Sequence, residues 1–236
     1  MRYFPPLLSG RLIRRYQRFF ADIALDDAWH GGATITAHTP NTGAMTGCAE
    51  PGSAVWVSRD DKPHRKLHYT WELASSDGAW VGVHTGRANA LAQEAIEAGV
   101  IRELAGCARI RREVPYGENS RIDLLLEGDG VAPCYVEVKS VTLGRGGVAL
   151  FPDAVTERGA KHLRELMAAV ERGARAAMLF AVQREDCARF APADAIDPEY
   201  GVLLRRAARA GVILLAYRAR VNPEEVRLEC ALPVEL

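Results

Sequence analysis

The hydrophobic pattern of this chain changes its period once, close to residue 85, and that change constrains the fold more than any other feature. Before it, apolar residues run in short β-branched and aromatic stretches: Ala33–His38, Ser53–Ser58 (SAVWVS), Leu67–Leu73 (LHYTWEL) and Ala79–Thr85 (AWVGVHT). A longer mixed segment, Leu7–Leu25, comes first, with Gly10 read as a bend. Valine, tryptophan, tyrosine and threonine suit a pleated, half-buried surface. Turn chemistry separates the runs at Asn41-Thr42-Gly43, Pro51-Gly52 and Ser75-Ser76-Asp77-Gly78. No helical period is visible there. Five short strands in this space predict a small barrel, and an OB-type barrel is the commonest five-stranded solution.

After Thr85 the period becomes helical. Ala88–Ala98 carries apolar residues at 88, 91, 92, 95 and 96, and Gly99 ends the run. Strands are predicted at Arg109–Val114, Ile122–Glu127 and Cys134–Thr142. A helix over Thr156–Arg172 follows, with Leu163, Leu166, Met167 and Val170 on one stripe and Gly173 past its end. Ala176–Val182 (AAMLFAV) reads as a buried strand. Asp197-Pro198 supplies an N-cap and a first-turn proline for a helix that closes at Gly211. Val212–Val221 and Val226–Leu232 complete the order α-β-β-β-α-β, then α-β-β. We therefore expect a β domain over residues 1–84 and an α/β domain over residues 85–236.

The 236 residues include 48% apolar and 25% charged, ordinary for a globular protein, and 30 basic residues balance 30 acidic ones. The whole-molecule field thus does not advertise a polyanion binder. The charge is uneven, however: residues 1–20 hold Arg2, Arg11, Arg14, Arg15 and Arg18 and no acid. That stripe is either a solvated strand face or a set of phosphate contacts. The five cysteines lack C-x-x-C spacing, which argues against a zinc or disulfide framework and for a reducing, cytoplasmic setting. Arginines break every apolar run at the start, so neither a secretory leader nor a membrane span is expected.

The segment that carries chemistry is Ser120-Arg121-Ile122-Asp123-Leu124-Leu125-Leu126, a Gly128-Asp129-Gly130 turn, then Cys134-Tyr135-Val136-Glu137-Val138-Lys139. Two apolar strands around such a turn predict a hairpin. A centre at Gly130 sets Asp123 opposite Glu137, and Lys139, two residues on, shares the face of Glu137. Charges seldom stand between Val and Leu in a strand unless paired or bound to metal. Two hard carboxylates suit Mg2+ or Mn2+, which take oxygen ligands and keep several waters. Lys139 would then orient the water or stabilise a pentacovalent transition state. A cross-strand ion pair between Lys139 and the acids is the other reading. Glu94, beside the apolar stripe of the first helix, is either a third metal ligand or a solvated glutamate.

An α-β-β-β-α-β core with Asp, then Glu-x-Lys on the next strand, resembles the PD-(D/E)xK nuclease superfamily. The proline that usually precedes the aspartate is Ile122 here. The chain as a whole resembles the sugar fermentation stimulation protein A family, through His38–Met45 (HTPNTGAM), Ser120–Leu126, Val136–Leu143 (VEVKSVTL), Phe151–Leu166 (FPDAVTERGAKHLREL) and Ala191–Pro198 (APADAIDP). Thr39 stands where many relatives are expected to carry cysteine, which argues against a thiol role. The resemblance implies an N-terminal OB-like barrel followed by a PD-(D/E)xK nuclease-like mixed sheet flanked by helices. It also implies DNA binding with little sequence preference and a link to the regulation of sugar metabolism.

The expected catalytic set is Asp123, Glu137, Lys139 and Glu94, with Asp123, Glu137 and Glu94 on the metal. The expected DNA contacts are Arg11, Arg14, Arg15, Arg18, Arg158 and Lys161. Cleavage and binding alone both stay open, as does a homodimer. Gln183 could reach the site or cap its own strand end. His162 borders the core and reads as a satisfied histidine. Trp56, Tyr69 and Trp71 are core or a stacking platform, with His38, Asn41 and Thr42 on a loop beside them. Gly144-Arg145-Gly146-Gly147 reads as a flexible turn. No Walker A loop, G-x-G-x-x-G fingerprint or G-x-S-x-G elbow occurs.

Overall fold

A computed structural model describes every residue except Trp29, Glu118 and Asn119, together with the side chain of His30. Six strands come first: β1 (Leu8–Tyr16), β2 (Phe20–Leu25), β3 (Thr34–His38), β4 (Ala54–Arg59), β5 (Tyr69–Ser76) and β6 (Ala79–Gly82). They lie in the order β3-β2-β1-β4-β5-β6, and β3 pairs back onto β5 in parallel. That last pairing closes five strands into the expected OB-type barrel, with β6 continuing beyond it. The barrel is filled by alternate residues: Ala21, Ile23 and Leu25 from β2, Val55 and Val57 from β4, and Leu12, Ala37 and Trp71.

Gly10 is not a bend. It sits inside β1, paired with Leu25 on one side and Val55 on the other. A Cβ there would stand 2.5 Å from the Ala24 carbonyl oxygen, so the glycine allows close backbone approach within the barrel. The chain reverses instead at Gln17 and Arg18, both at positive φ (48° and 63°). Two non-glycine residues in the left-handed region gave no turn signal in the sequence.

The second unit comprises α1 (Ala88–Glu97), β7 (Arg109–Tyr116), β8 (Ser120–Gly128), β9 (Val131–Val141), β10 (Leu143–Arg145), β11 (Val148–Phe151), α2 (Glu157–Glu171), β12 (Arg175–Val182), β13 (Arg189–Pro192), α3 (Pro198–Arg209), β14 (Ile213–Val221) and β15 (Val226–Leu232). Its main sheet runs β15-β14-β12-β9-β8-β7, with β9, β12 and β14 parallel. Helix α1 covers one face with Leu91, Ala92, Ala95 and Ile96. Helices α2 and α3 cover the other, with Leu163, Leu166, Tyr200 and Leu204. Central β12 is buried along nearly its whole length, as a parallel strand covered on both faces should be.

The Asp197 cap behaves as the sequence implied, and Thr156, expected as the first helical residue, is the N-cap of α2. Thr156 accepts from Gly159 N at 3.0 Å and Asp197 from Tyr200 N at 3.0 Å. The second Asp197 oxygen takes Thr156 N at 2.9 Å, so one carboxylate ties the starts of both helices together. A small sheet, β10-β11-β13, was not anticipated. Gly144 and Arg145 belong to its first strand, and Gly146 and Gly147 alone form the turn, both at positive φ. Strands of three or four residues are too short to show a period.

The two units share contacts. Leu7 and Leu73 pack in the same cluster as α1, and Gly82 N donates to the Gln183 carbonyl at 2.8 Å. The first residues also pair with the loop before β15, with Tyr3 N donating to Glu224 O at 3.0 Å. Among the described residues, no helix is long and apolar enough to cross a membrane.

Candidate active site and nucleic-acid cleft

The hairpin of β8 and β9 adopts the expected register, with Leu124 paired to Val136, Leu125 to Tyr135 and Leu126 to Cys134. One residue further the ladder opens. Asp123 does not simply face Glu137 across it: one carboxylate oxygen accepts the Val138 N–H at 2.8 Å, and the other accepts from Asn89 Nδ2 of α1 at 2.8 Å. The strand turns over at this point. Ile122 packs toward α2 and α3, yet Leu124, two residues on, packs toward α1. Glu113, which faces Asp123 on β7, has φ 51°, matching the irregularity.

Glu137 and Lys139 share a face, as expected, and it is the face covered by α2. Lys139 Nζ donates to Glu137 Oε1 at 2.7 Å. His162, buried on α2, hydrogen-bonds the same Glu137 oxygen and lies 3.1 Å from Lys139 Nζ. Arg158 Nε donates to His162 Nε2 at 3.4 Å. An ion pair is therefore present within β9, whereas among the described residues the anticipated cross-strand pair of Lys139 with Asp123 is not formed. The ion pair does not complete the site, because Glu137 Oε2 is buried with no hydrogen-bond partner among the described residues. An orphaned carboxylate oxygen at 2% exposure is costly unless something binds it.

The two acids are pushed in opposite directions. Burial, then the nearby Glu137 charge, raises Asp123 above the ordinary carboxylate range, against the opposing bonds from Val138 and Asn89. Burial would raise Glu137 too, but the bonds from His162 and Lys139 outweigh it and hold Glu137 low. Mutual repulsion between buried acids is what a divalent cation relieves. Two carboxylates, one with a free oxygen, fit a Mg2+-type ion that keeps several waters. Among the described residues, no group of three or more His, Cys, Asp and Glu side chains forms a ready metal cage.

Glu94 is not brought to the cluster. It is half exposed and pairs with the Met1 ammonium at 2.8 Å. The α1 residue that reaches Asp123 is Asn89, five positions earlier and on a different helical face. Glu94 therefore leaves the expected ligand set, because helix phase turns it toward the N-terminal segment.

A cleft of about 500 Å³ lies between barrel and mixed sheet. Arg18 enters from the β1–β2 turn, Asn41 and Thr42 from the loop after β3, Asn89 from α1, Lys139 from β9 and Arg158 from the first turn of α2. The positive end of the α2 dipole opens there as well. Arg15 lies beneath, its Nη2 donating to the Asn41 and Gly43 carbonyls at 2.9 and 3.0 Å, so it shapes the loop rather than facing the cleft. Asp153 accepts from Met45 N at 3.1 Å and fastens this loop to the second unit.

The remaining expected DNA contacts lie elsewhere. Arg14 pairs with Asp22 at 2.8 Å and stacks over Tyr16. Arg11 lies on the outer face of β1, near the Gly52 carbonyl. Lys161 lies in a separate groove beside Glu165. The basic stripe of the sequence is thus divided by strand alternation and by the turn at Gln17–Arg18.

Sequence reasoning missed Asn89, while His162, read as a satisfied core-edge histidine, is buried and bonded to Glu137. The only signal for His162 was its spacing, four residues after Arg158 and beside the apolar stripe. Gln183 is buried and donates to Ser140 Oγ at 2.6 Å, holding a residue that lines the cleft next to Lys139. Trp71 is barrel core, while Trp56 packs edge-on against Trp80 at 6.1 Å and Tyr69 is half-buried beneath Arg59.

Comparisons with known proteins agree with this architecture. Residues 13–83 match the model described as SfsA N-terminal OB domain, and residues 86–225 match the one described as Sugar fermentation stimulation protein RE domain. The sugar fermentation stimulation protein homolog of Geobacter sulfurreducens is 62% identical, over 97% of this chain and 96% of that one. The homolog of Citrifermentans bemidjiense is 61% identical over 98% of both chains. A solved structure of Pyrococcus furiosus SfsA in complex with Ca2+ superposes with a TM-score of 0.88 at 28% identity, covering 100% of this chain and 98% of that one.

Proposed function

The chain belongs to the sugar fermentation stimulation protein A family, and from that premise we propose that it binds DNA with little sequence preference and carries a Mg2+- or Mn2+-dependent phosphodiesterase site. The observation that carries this reading is the orphaned, buried Glu137 oxygen, bonded through its other oxygen to Lys139, which itself lines a cleft that Arg18 and Arg158 enter. The Ca2+ named for the Pyrococcus furiosus structure supports it, since Ca2+ takes the same hard oxygen ligands.

Each residue then has a task. Arg18, Arg158 and the α2 N-terminus hold phosphate oxygens, largely without regard to sequence. Asp123 and Glu137 would hold the metal, whose chemistry is to lower the pKa of a water and neutralise charge on the phosphate. Asn89 and the Val138 amide orient Asp123, and His162 orients Glu137. Lys139 orients the attacking water and stabilises the charge that develops on the phosphorus oxygens.

A second reading, a non-catalytic DNA-binding module that retains the nuclease fold, draws support from the Glu137–Lys139–His162 network and from the absence of Glu94 from the site. In either case DNA binding is the route by which we link the chain to control of sugar use. The test uses single- and double-stranded DNA with Mg2+, Mn2+ or chelator, beside Asp123→Ala. Metal-dependent cutting lost in the variant supports the phosphodiesterase. Salt-sensitive binding without cutting supports the module. Neither cutting nor binding sinks both.

A further inference from the structure

A second cavity, of about 440 Å³, adjoins the cleft on the barrel side. Pro40 and His84 line it, while their neighbours Asn41 and Thr85 line the cleft, and Thr85 Oγ1 donates to the Pro40 carbonyl at 2.9 Å. The two spaces are therefore separated by a single ridge. We propose that this cavity takes an unpaired nucleotide of a DNA strand whose neighbouring phosphates occupy the cleft, which makes the protein a reader of single-stranded flanks. The inference rests on the DNA-binding reading above.

The charge of the cavity is layered. At its floor, Glu72 is fully engaged: Arg87 grips both oxygens, at 2.6 and 2.5 Å, and Ser58 Oγ donates at 2.7 Å. That pair contributes no net charge. At the mouth, Arg65 and Lys62 share one acid, Asp60, at 3.1 and 3.4 Å, while Arg59 pairs with Asp61 at 2.8 Å. Two cations on the one Asp60 carboxylate leave a positive excess, placed to meet a phosphate.

Between floor and mouth stand His38 and His84, both held toward the neutral form, chiefly by burial. A neutral imidazole both donates and accepts, as the edge of an unpaired base requires. At the rim Phe4 is 95% exposed, with Pro5 and Pro6 stiffening the chain after it. An exposed ring beside a cationic mouth is the arrangement that stacks bases without sequence preference. The volume suits one nucleotide unit.

The test measures fluorescence anisotropy of a labelled oligothymidylate strand and of a blunt duplex, over a range of salt, with the full chain. The variants are Phe4→Ala and Lys62→Ala. Both side chains are largely exposed, and thermal unfolding checks that both variants remain folded. Phe4→Ala should weaken single-strand binding about tenfold, the loss of one stacked base. Lys62→Ala should lower the single-strand salt slope by about 0.7, one phosphate contact. Both should leave the duplex nearly unchanged. If both variants bind the strand like wild type while Arg158→Ala weakens it, the second site is wrong and the cleft stands. Equal losses on strand and duplex would overturn the preference for an unpaired nucleotide. Should the wild-type protein bind neither, this inference and the DNA-binding reading fall together.

Discussion

Two glutamates, Glu72 in the barrel and Glu137 in the mixed sheet, are almost equally buried, at 1% and 2% exposure, and their surroundings differ in one respect. Glu72 has a complete set of partners, a two-pronged arginine and a serine hydroxyl. Glu137 has two donors converging on one oxygen and, among the described residues, none on the other. Both acids are neutralised, so burial and charge pairing alone do not tell structure from function. The unfilled oxygen does: a buried ion pair with both carboxylate oxygens met is a brace, and one with a vacant acceptor is a place where something binds.

The sharpest way to break this contrast is to remove each acid. Glu137→Ala should reduce metal-dependent cleavage about a thousandfold, roughly 4 kcal/mol in barrier, while DNA binding measured by anisotropy persists. Glu72→Ala should do the reverse. It strands Arg87 beside a vacated site and should cost about 3 kcal/mol of stability, seen as a lower denaturation midpoint with cleavage per folded molecule retained. If Glu72→Ala also abolishes cleavage at unchanged stability, the distinction fails.

Asp123 sharpens the contrast from the other side. Its carboxyl is held above the ordinary range by burial and by Glu137, so its ionised form costs the fold stability. That cost is absent at acid pH, where the group is protonated in both folded and unfolded chains. It grows as pH rises past the ordinary carboxylate value and is complete above the raised one. Asp123→Asn should therefore raise the melting temperature at neutral pH in chelator, lose that advantage at acid pH, and abolish stabilisation by added Mg2+. Thermal scans with and without Mg2+ at both pH values check each part.

Asn89→Ala should have a smaller effect. It removes a bond that lowers Asp123, so the acid limb of the pH–rate profile should move to higher pH with only a few-fold loss at the optimum. Smallest is the comparison of two arginines from the same basic stripe. Arg18→Asn, chosen because asparagine tolerates positive φ, should lower the duplex salt slope by about 0.9. Arg14→Ala should leave that slope unchanged, because Arg14 pairs with Asp22 outside the cleft.

Much of the fold was legible because its signals are local. The strand chemistry up to residue 85, the stripe of α2, the Asp197-Pro198 cap and the hairpin register around Gly130 are each written in adjacent residues, and each is observed. So is the sharing of a face by Glu137 and Lys139, which needs only a two-residue repeat. What failed needed knowledge of packing. Gly10 looks like a bend until the Ala24 carbonyl is seen against it. Glu94 and Asn89 sit on one helix, and only its rotation against the sheet decides which of them meets Asp123. The basic stripe looks continuous in the chain and is divided in space.

The amino-acid order alone determined that a barrel precedes a mixed sheet and that a glutamate and a lysine share one face of a hairpin strand, since alternation and turn chemistry act over a few residues. Tertiary structure alone decided which oxygen stays unfilled, because His162, Asn89 and the cleft arginines reach the site from elements far apart in the chain, and no local pattern encodes the angle at which those elements pack.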